Sequence, residues 1–132
     1  MSKKIKENAE YCLNCPTKPC SSKGCPLNND IPSFIRAIKQ EKYEEAYQVL
    51  SQTTVLPAIC GRICPHFKQC MGSCVRGIKG EPVDIGSLEA FIGDMAIKND
   101  YKIEKDVIEI SEKSSSSQKN QIHKNIAIIG GG

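Results

Sequence analysis

Cys12-Leu13-Asn14-Cys15-Pro16-Thr17-Lys18-Pro19-Cys20-Ser21-Ser22-Lys23-Gly24-Cys25-Pro26 and Cys60-Gly61-Arg62-Ile63-Cys64-Pro65-His66-Phe67-Lys68-Gln69-Cys70-Met71-Gly72-Ser73-Cys74 together hold all eight cysteines of a 132-residue chain. The gaps are two, four and four residues in the first stretch and three, five and three in the second. Pro16, Pro19, Gly24 and Pro26 predict a loop, and Gly61, Pro65 and Gly72 predict loop or broken helix. Thiols grouped this way serve disulfides, structural zinc or iron-sulfur clusters. Zinc sites are usually assembled from paired Cys-x-x-Cys knuckles, and only Cys12 and Cys15 form such a pair. The four irons of a cube sit at separate corners, so one loop can wrap it with uneven gaps while a distant residue closes the fourth corner. Eight cysteines therefore point to two cubes, with a zinc-stapled protein interaction module as the alternative.

Outward from these loops the pattern is helical. Asn29 and Asp30 precede Ile31-Pro32, where Asp can cap free amides and Pro is tolerated in the first turn. Ile31, Phe34, Ile35 and Ile38 then share one face, and after a break near Gln40 the positions Tyr43, Ala46, Tyr47, Val49 and Leu50 repeat the spacing over about eleven residues. Past the second loop, Asp84 or Ser87 caps a third helix in which Leu88, Phe91, Ile92, Met95 and Ala96 fall at helical intervals. The expected fold class is mostly α, with helices joining two metal-binding loops.

From Tyr101 the pattern weakens, and Ser111 to Asn120, with Ser114 through Ser117, has a linker's composition. Asn125-Ile126-Ala127-Ile128-Ile129-Gly130-Gly131-Gly132 reads as a buried strand entering a glycine turn. Gly130 and Gly132 supply the first two glycines of a G-x-G-x-x-G dinucleotide turn whose third lies beyond Gly132. The expected organisation is a helical iron-sulfur domain over 1–107, a linker over 108–124 and the start of a truncated FAD domain over 125–132.

Charge and composition narrow the function. The formal net charge is +3, and the lysines are spread along the chain, which gives nucleic-acid binding no support. Met1 to Asn8 carries three lysines but no apolar run or cleavage site follows, and nothing approaches the roughly 18 apolar residues of a membrane span. A cytoplasmic, membrane-free protein is expected, which weakens the disulfide reading. With no Trp, three Phe and four Tyr, the apolar core must come mainly from Ile, Leu, Val and Ala. Lys18, Lys23, Arg62, Lys68 and Arg76 lie among the cysteines, where they either offset cluster charge or are simply solvated.

Taken together, these motifs resemble the N-terminal iron-sulfur domain shared by the glutamate synthase small subunit, dihydropyrimidine dehydrogenase and related flavin-dependent NAD(P)H oxidoreductases. The resemblance rests on Cys12-Leu13-Asn14-Cys15 with Cys20 and Cys25-Pro26, on Asp30-Ile31-Pro32-Ser33-Phe34-Ile35, on Cys60-Gly61-Arg62-Ile63-Cys64-Pro65, on Cys70 through Cys74, and on Ile85-Gly86-Ser87-Leu88-Glu89. It resumes at Ile126 to Gly132, where the family begins its FAD domain. It implies a two-cluster, α-helical ferredoxin-type fold followed by a Rossmann-type domain. It also implies an interleaved ligand set: Cys12, Cys15, Cys20 and Cys74 for one 4Fe-4S cluster, and Cys25, Cys64, Cys70 and Glu89 for the other. By itself a carboxylate in the first turn of a helix needs no ligand role, because the helix dipole already favours it there. Cys60 matches a residue that does not ligate in the family, and His66 and His123 match no ligand.

The resemblance implies that the parent protein passes a hydride from NAD(P)H to FAD and that the clusters relay single electrons from it, towards a glutamate synthase large subunit or another acceptor. None of the 132 residues is a candidate catalytic acid, base or nucleophile, so electron relay without turnover is expected of this segment alone.

Overall fold

The computed structural model describes residues 2–103, and these form helices and tight turns with no strand among them. The expected strand at 125–132, with Gly130, Gly132, the 108–124 linker and His123, lies outside the described residues. Five α-helices follow in order: α1 (Lys3–Tyr11), α2 (Ile31–Lys39), α3 (Tyr43–Ser51), α4 (Pro57–Ile63) and α5 (Ile85–Asn99). Between them, Cys20–Gly24 makes a π-helical turn, and His66–Lys68 and Val75–Ile78 make 3-10 turns.

The core lies between α2, α3 and α5. Phe34, Ile35 and Ile38 from α2, Leu50 from α3, and Leu88 and Ile92 from α5 are all fully buried. These residues come from the faces that the helical spacing selects. Tyr43 closes one end of this core edge-on to Phe91, with ring centroids 5.4 Å apart. The turn between α2 and α3 holds Glu41 in a left-handed conformation, φ 59°, and α3 runs for nine residues rather than the expected eleven.

Asp84 caps α5 as expected, accepting from the Ser87 amide at 3.1 Å. The same residue anchors α1: Asn8 donates to the Asp84 carbonyl at 2.7 Å and accepts from its amide at 3.0 Å. Asp30 departs from expectation. Its carboxylate makes no cap bond to α2 and instead takes the Lys18 ammonium on both oxygens at 2.8 Å, with the Ser33 hydroxyl at 2.9 Å. The amide at the start of α2 goes to Ser21, whose hydroxyl accepts from Ile31 at 3.2 Å in a buried bond. Both contacts tie the first cysteine loop to the helix that follows it.

Candidate metal centre: two cysteine-lined clefts

Gly24 decides how the two loops meet. A Cβ on it would lie 2.7 Å from the Cys70 Cα and 2.8 Å from the Gln69 carbonyl oxygen, so the π-helical turn and the second loop cross backbone to backbone. Because the loops cross, the last cysteine of the first loop and the last of the second each end beside the other loop's cysteines. Cys12, Cys15, Cys20 and Cys74 line one cleft with about 360 Å³ of empty space, walled by Ile35 and Val83. Cys25, Cys64, Cys70 and Glu89 line a second of about 550 Å³, together with Cys60 and His66. In both, the donors stand on the walls of a cavity instead of converging on one point.

Glu89 reaches the second cleft because α4 is pressed against α5. A Cβ on Gly61 would lie 2.3 Å from the Ala90 amide nitrogen and 2.7 Å from the Gly86 carbonyl oxygen, so only glycine permits the contact. Glu89 is 8% exposed, and no hydrogen bond or ion pair to its carboxylate is formed among the described residues. Burial pushes its carboxyl from 4.5 up to about 7. A buried carboxylate without a donor is costly unless a cation compensates it. Three thiols and this carboxylate are a donor set that iron accepts, so the residues of the second cleft fit a cluster, as the four thiols of the first do.

Burial acts on some of the thiols as well. Burial lifts Cys20 to about 11 and Cys70 to about 12, and also raises Cys64. Cys70 is affected by Glu89 and Cys25 from its own cleft and by Cys20 from the first, which makes the two clefts immediate neighbours. Thiols with pKa values this high are protonated at neutral pH and must release protons to bind iron. Cluster binding is therefore expected to strengthen as pH rises from 6 to 8, the Glu89 proton adding to the slope only below about pH 7. Iron retained at a fixed chelator concentration across that range checks the sign; retention that increases towards acid contradicts it.

Lys39 brings a positive charge beside Cys12, and no sequence signal marked it. Its ammonium donates to the Cys12 carbonyl at 2.8 Å. In the orientation that satisfies its amide, Asn14 accepts from Lys39 at 3.1 Å and donates to the Pro32 carbonyl at 2.9 Å. Burial raises the Cys12 thiol, while the Asn14 amide and Lys39 pull it down. Of the basic residues singled out in the sequence, three have partners of their own, although Arg76 also lines the first cleft. Lys18 holds Asp30, Arg62 forks onto Asp94 at 3.0 and 2.6 Å, and Arg76 stacks 4.2 Å above the Tyr11 ring. Lys39→Met is expected to lower the midpoint potential of one cluster and leave the other unchanged, since positive charge beside a cluster favours its reduced form. A redox titration monitored by EPR measures both; an unchanged pair removes Lys39 as a tuning residue.

His66 sits in the turn between Cys64 and Cys70, its ring against Gly86 and its Nε2 buried without a hydrogen-bond partner among the described residues. All eight cysteines are free thiols. No helix among the described residues is long and apolar enough to cross a membrane.

The chain is similar to known iron-sulfur proteins over most of its described length. Residues 1–101 match the family model described as dihydropyrimidine dehydrogenase domain II, 4Fe-4S cluster. The chain is 34% identical over 127 residues to the glutamate synthase [NADPH] small chain of Escherichia coli (strain K12), covering 96% of this chain and 24% of that one. It is 40% identical over 92 residues to the corresponding small chain of Azospirillum brasilense, covering 68% and 19%. Against the NAD-dependent dihydropyrimidine dehydrogenase subunit PreT of E. coli (strain K12) it is 39% identical over 90 residues, covering 68% and 21%. The chain thus spans about a quarter or less of the length of these relatives. It belongs to the dihydropyrimidine dehydrogenase domain II family, whose members carry 4Fe-4S clusters for electron transfer.

Proposed function

We propose that this chain is a two-cluster electron relay within an NAD(P)H- and FAD-dependent oxidoreductase of the glutamate synthase small-subunit type. Cys12, Cys15, Cys20 and Cys74 hold one 4Fe-4S cluster, and Cys25, Cys64, Cys70 and Glu89 hold the other. The observation that carries this reading is that these eight donors divide between two adjoining clefts, four lining each. A cube changes by one electron with little rearrangement, its potential set by charge, hydrogen bonds and burial. The chain's own residues supply these controls: Lys39 beside Cys12, and the apolar walls that exclude water from the first cleft.

In the parent protein, FAD and NAD(P)H belong to domains following a 108–124 linker, with 125–132 and its Gly130 and Gly132 opening the FAD domain. The electrons pass to a glutamate synthase large subunit or a comparable acceptor. A cytoplasmic location suits eight cysteines that form no disulfide, since reducing compartments keep thiols reduced. Anaerobic reductive titration of the iron-loaded chain tests the relay. Uptake of about two electrons per chain, one for each cube, is expected; a loaded protein that accepts none is not a relay.

A further inference from the structure

The second cleft contains more donors than one cluster needs. Besides Cys25, Cys64, Cys70 and Glu89, it is lined by Cys60. Cys60 lies in α4 four residues before Cys64, the extended residue that ends the helix, whose amide donates to the Cys60 carbonyl at 3.2 Å. Its sulfur is 3.6 Å from the hydroxyl of Thr54, which is itself 5% exposed. That hydroxyl also accepts from the Leu56 amide at 3.4 Å; either partner of the Thr54–Cys60 contact can donate, and once Cys60 is a thiolate only the hydroxyl can. A buried hydroxyl donor of this kind stabilises a thiolate and is what a metal-bound sulfur receives from its surroundings.

We propose that Cys60 is an alternate fourth ligand of the second cleft, able to hold the cluster in place of Glu89. This rests on the assignment of Cys25, Cys64, Cys70 and Glu89 given above. Iron-sulfur clusters favour soft thiolate over carboxylate, so a thiol already in the cleft wall is a competent substitute. In binding, Cys60 gives its thiol proton to solvent, as the other three cysteines do, and no oxidant or reductant is consumed. His66 also lines the cleft, from the turn that follows Cys64, with an imidazole in place of a thiol.

The test compares the iron-loaded wild-type chain with Cys60→Ala, Glu89→Ala and the double variant, with Glu89→Leu alongside as a replacement closer in volume. Iron and acid-labile sulfide are counted, and the EPR spectrum of the reduced protein is recorded. The first cleft's cluster reports folding in every sample. Cys60→Ala is expected to keep its full iron. Glu89→Ala and Glu89→Leu are expected to keep it too, with an altered EPR signal from one cluster, while the double variant loses about half. If the single Glu89 variants already lose half, Cys60 cannot substitute, and the Glu89 assignment stands. If the double variant keeps full iron with a wild-type EPR signal, Glu89 is not a ligand and both readings fall. If Cys60→Ala alone loses half, Cys60 is the resident ligand, which overturns its alternate role and the Glu89 assignment together. Loss of half in Glu89→Ala with His66→Ala, but not with Cys60→Ala, would give the substitute role to His66.

Discussion

Cys12→Ser and Cys74→Ser are expected to yield the same cluster-depleted protein, each retaining about half of the iron and sulfide and showing the same residual EPR spectrum. Cys25→Ser and Cys70→Ser are expected to yield the other half. The pairing follows from the clefts, since Cys74 lines the one that contains Cys12 and Cys25 lines the one that contains Cys70. Were each loop to wrap its own cube, Cys12 and Cys25 variants would share one spectrum and Cys70 and Cys74 variants the other. Iron counts alone do not separate the two arrangements, because every variant loses half in both. The matching of residual spectra does.

Gly24→Ala is expected to disturb both clusters at once, although Gly24 ligates nothing. Its added methyl would stand 2.7 to 3.0 Å from three backbone atoms of Gln69 and Cys70, none of which can rotate away as a side-chain tip would. Overpacking a fitted contact costs about 1–3 kcal/mol, and a backbone-to-backbone contact falls at the upper end or above. The loops must separate to accept it, which withdraws Cys25 from the second cleft and Cys74 from the first. Thermal unfolding of the iron-loaded protein and iron content after a chelator challenge measure the loss. Gly80→Ala is the control, because a Cβ there would meet nothing closer than 3.7 Å. A Gly24→Ala protein with wild-type stability and iron would show that the loop crossing does not set the ligand partition.

How much of this could be read from the sequence depended on whether the determinant was local. The faces of α2, α3 and α5 were legible because Phe34, Ile35, Ile38, Leu50, Leu88 and Ile92 repeat at helical spacing, and the structure buries all of them. α1 was not, because only Ile5 and Ala9 turn inward from a lysine-rich segment capped by Ser2. α4 escaped for the opposite reason. Its seven residues include Gly61, and Ile59 and Ile63 are exposed, so the segment has no apolar stripe facing the core. Asp30 read as a cap because capping is a local rule, whereas its partner Lys18 is twelve residues away and reaches it only through the fold of the loop.

The site divides the same way. The spacing of the cysteines suggested two cubes but could not pair the donors, since the pairing is made by a crossing at Gly24 that involves both loops. The interleaved set and Glu89 came from resemblance, and the structure brings those same residues to two clefts. Lys39 had no signal at all. A lysine in the last turn of a helix is ordinarily a solvated residue favoured by the dipole, and only the return of the first loop over α2 places the Cys12 carbonyl against it.

What the freshly purified chain contains under anaerobic conditions tests the two-cluster relay most directly. Iron and acid-labile sulfide at about eight each per chain, with a broad brown absorbance that bleaches on reduction, is the result expected for two 4Fe-4S clusters. Zinc bound by the same thiols, with neither sulfide nor colour after anaerobic reconstitution with iron and sulfide, would contradict it and leave the cysteine loops as structural staples.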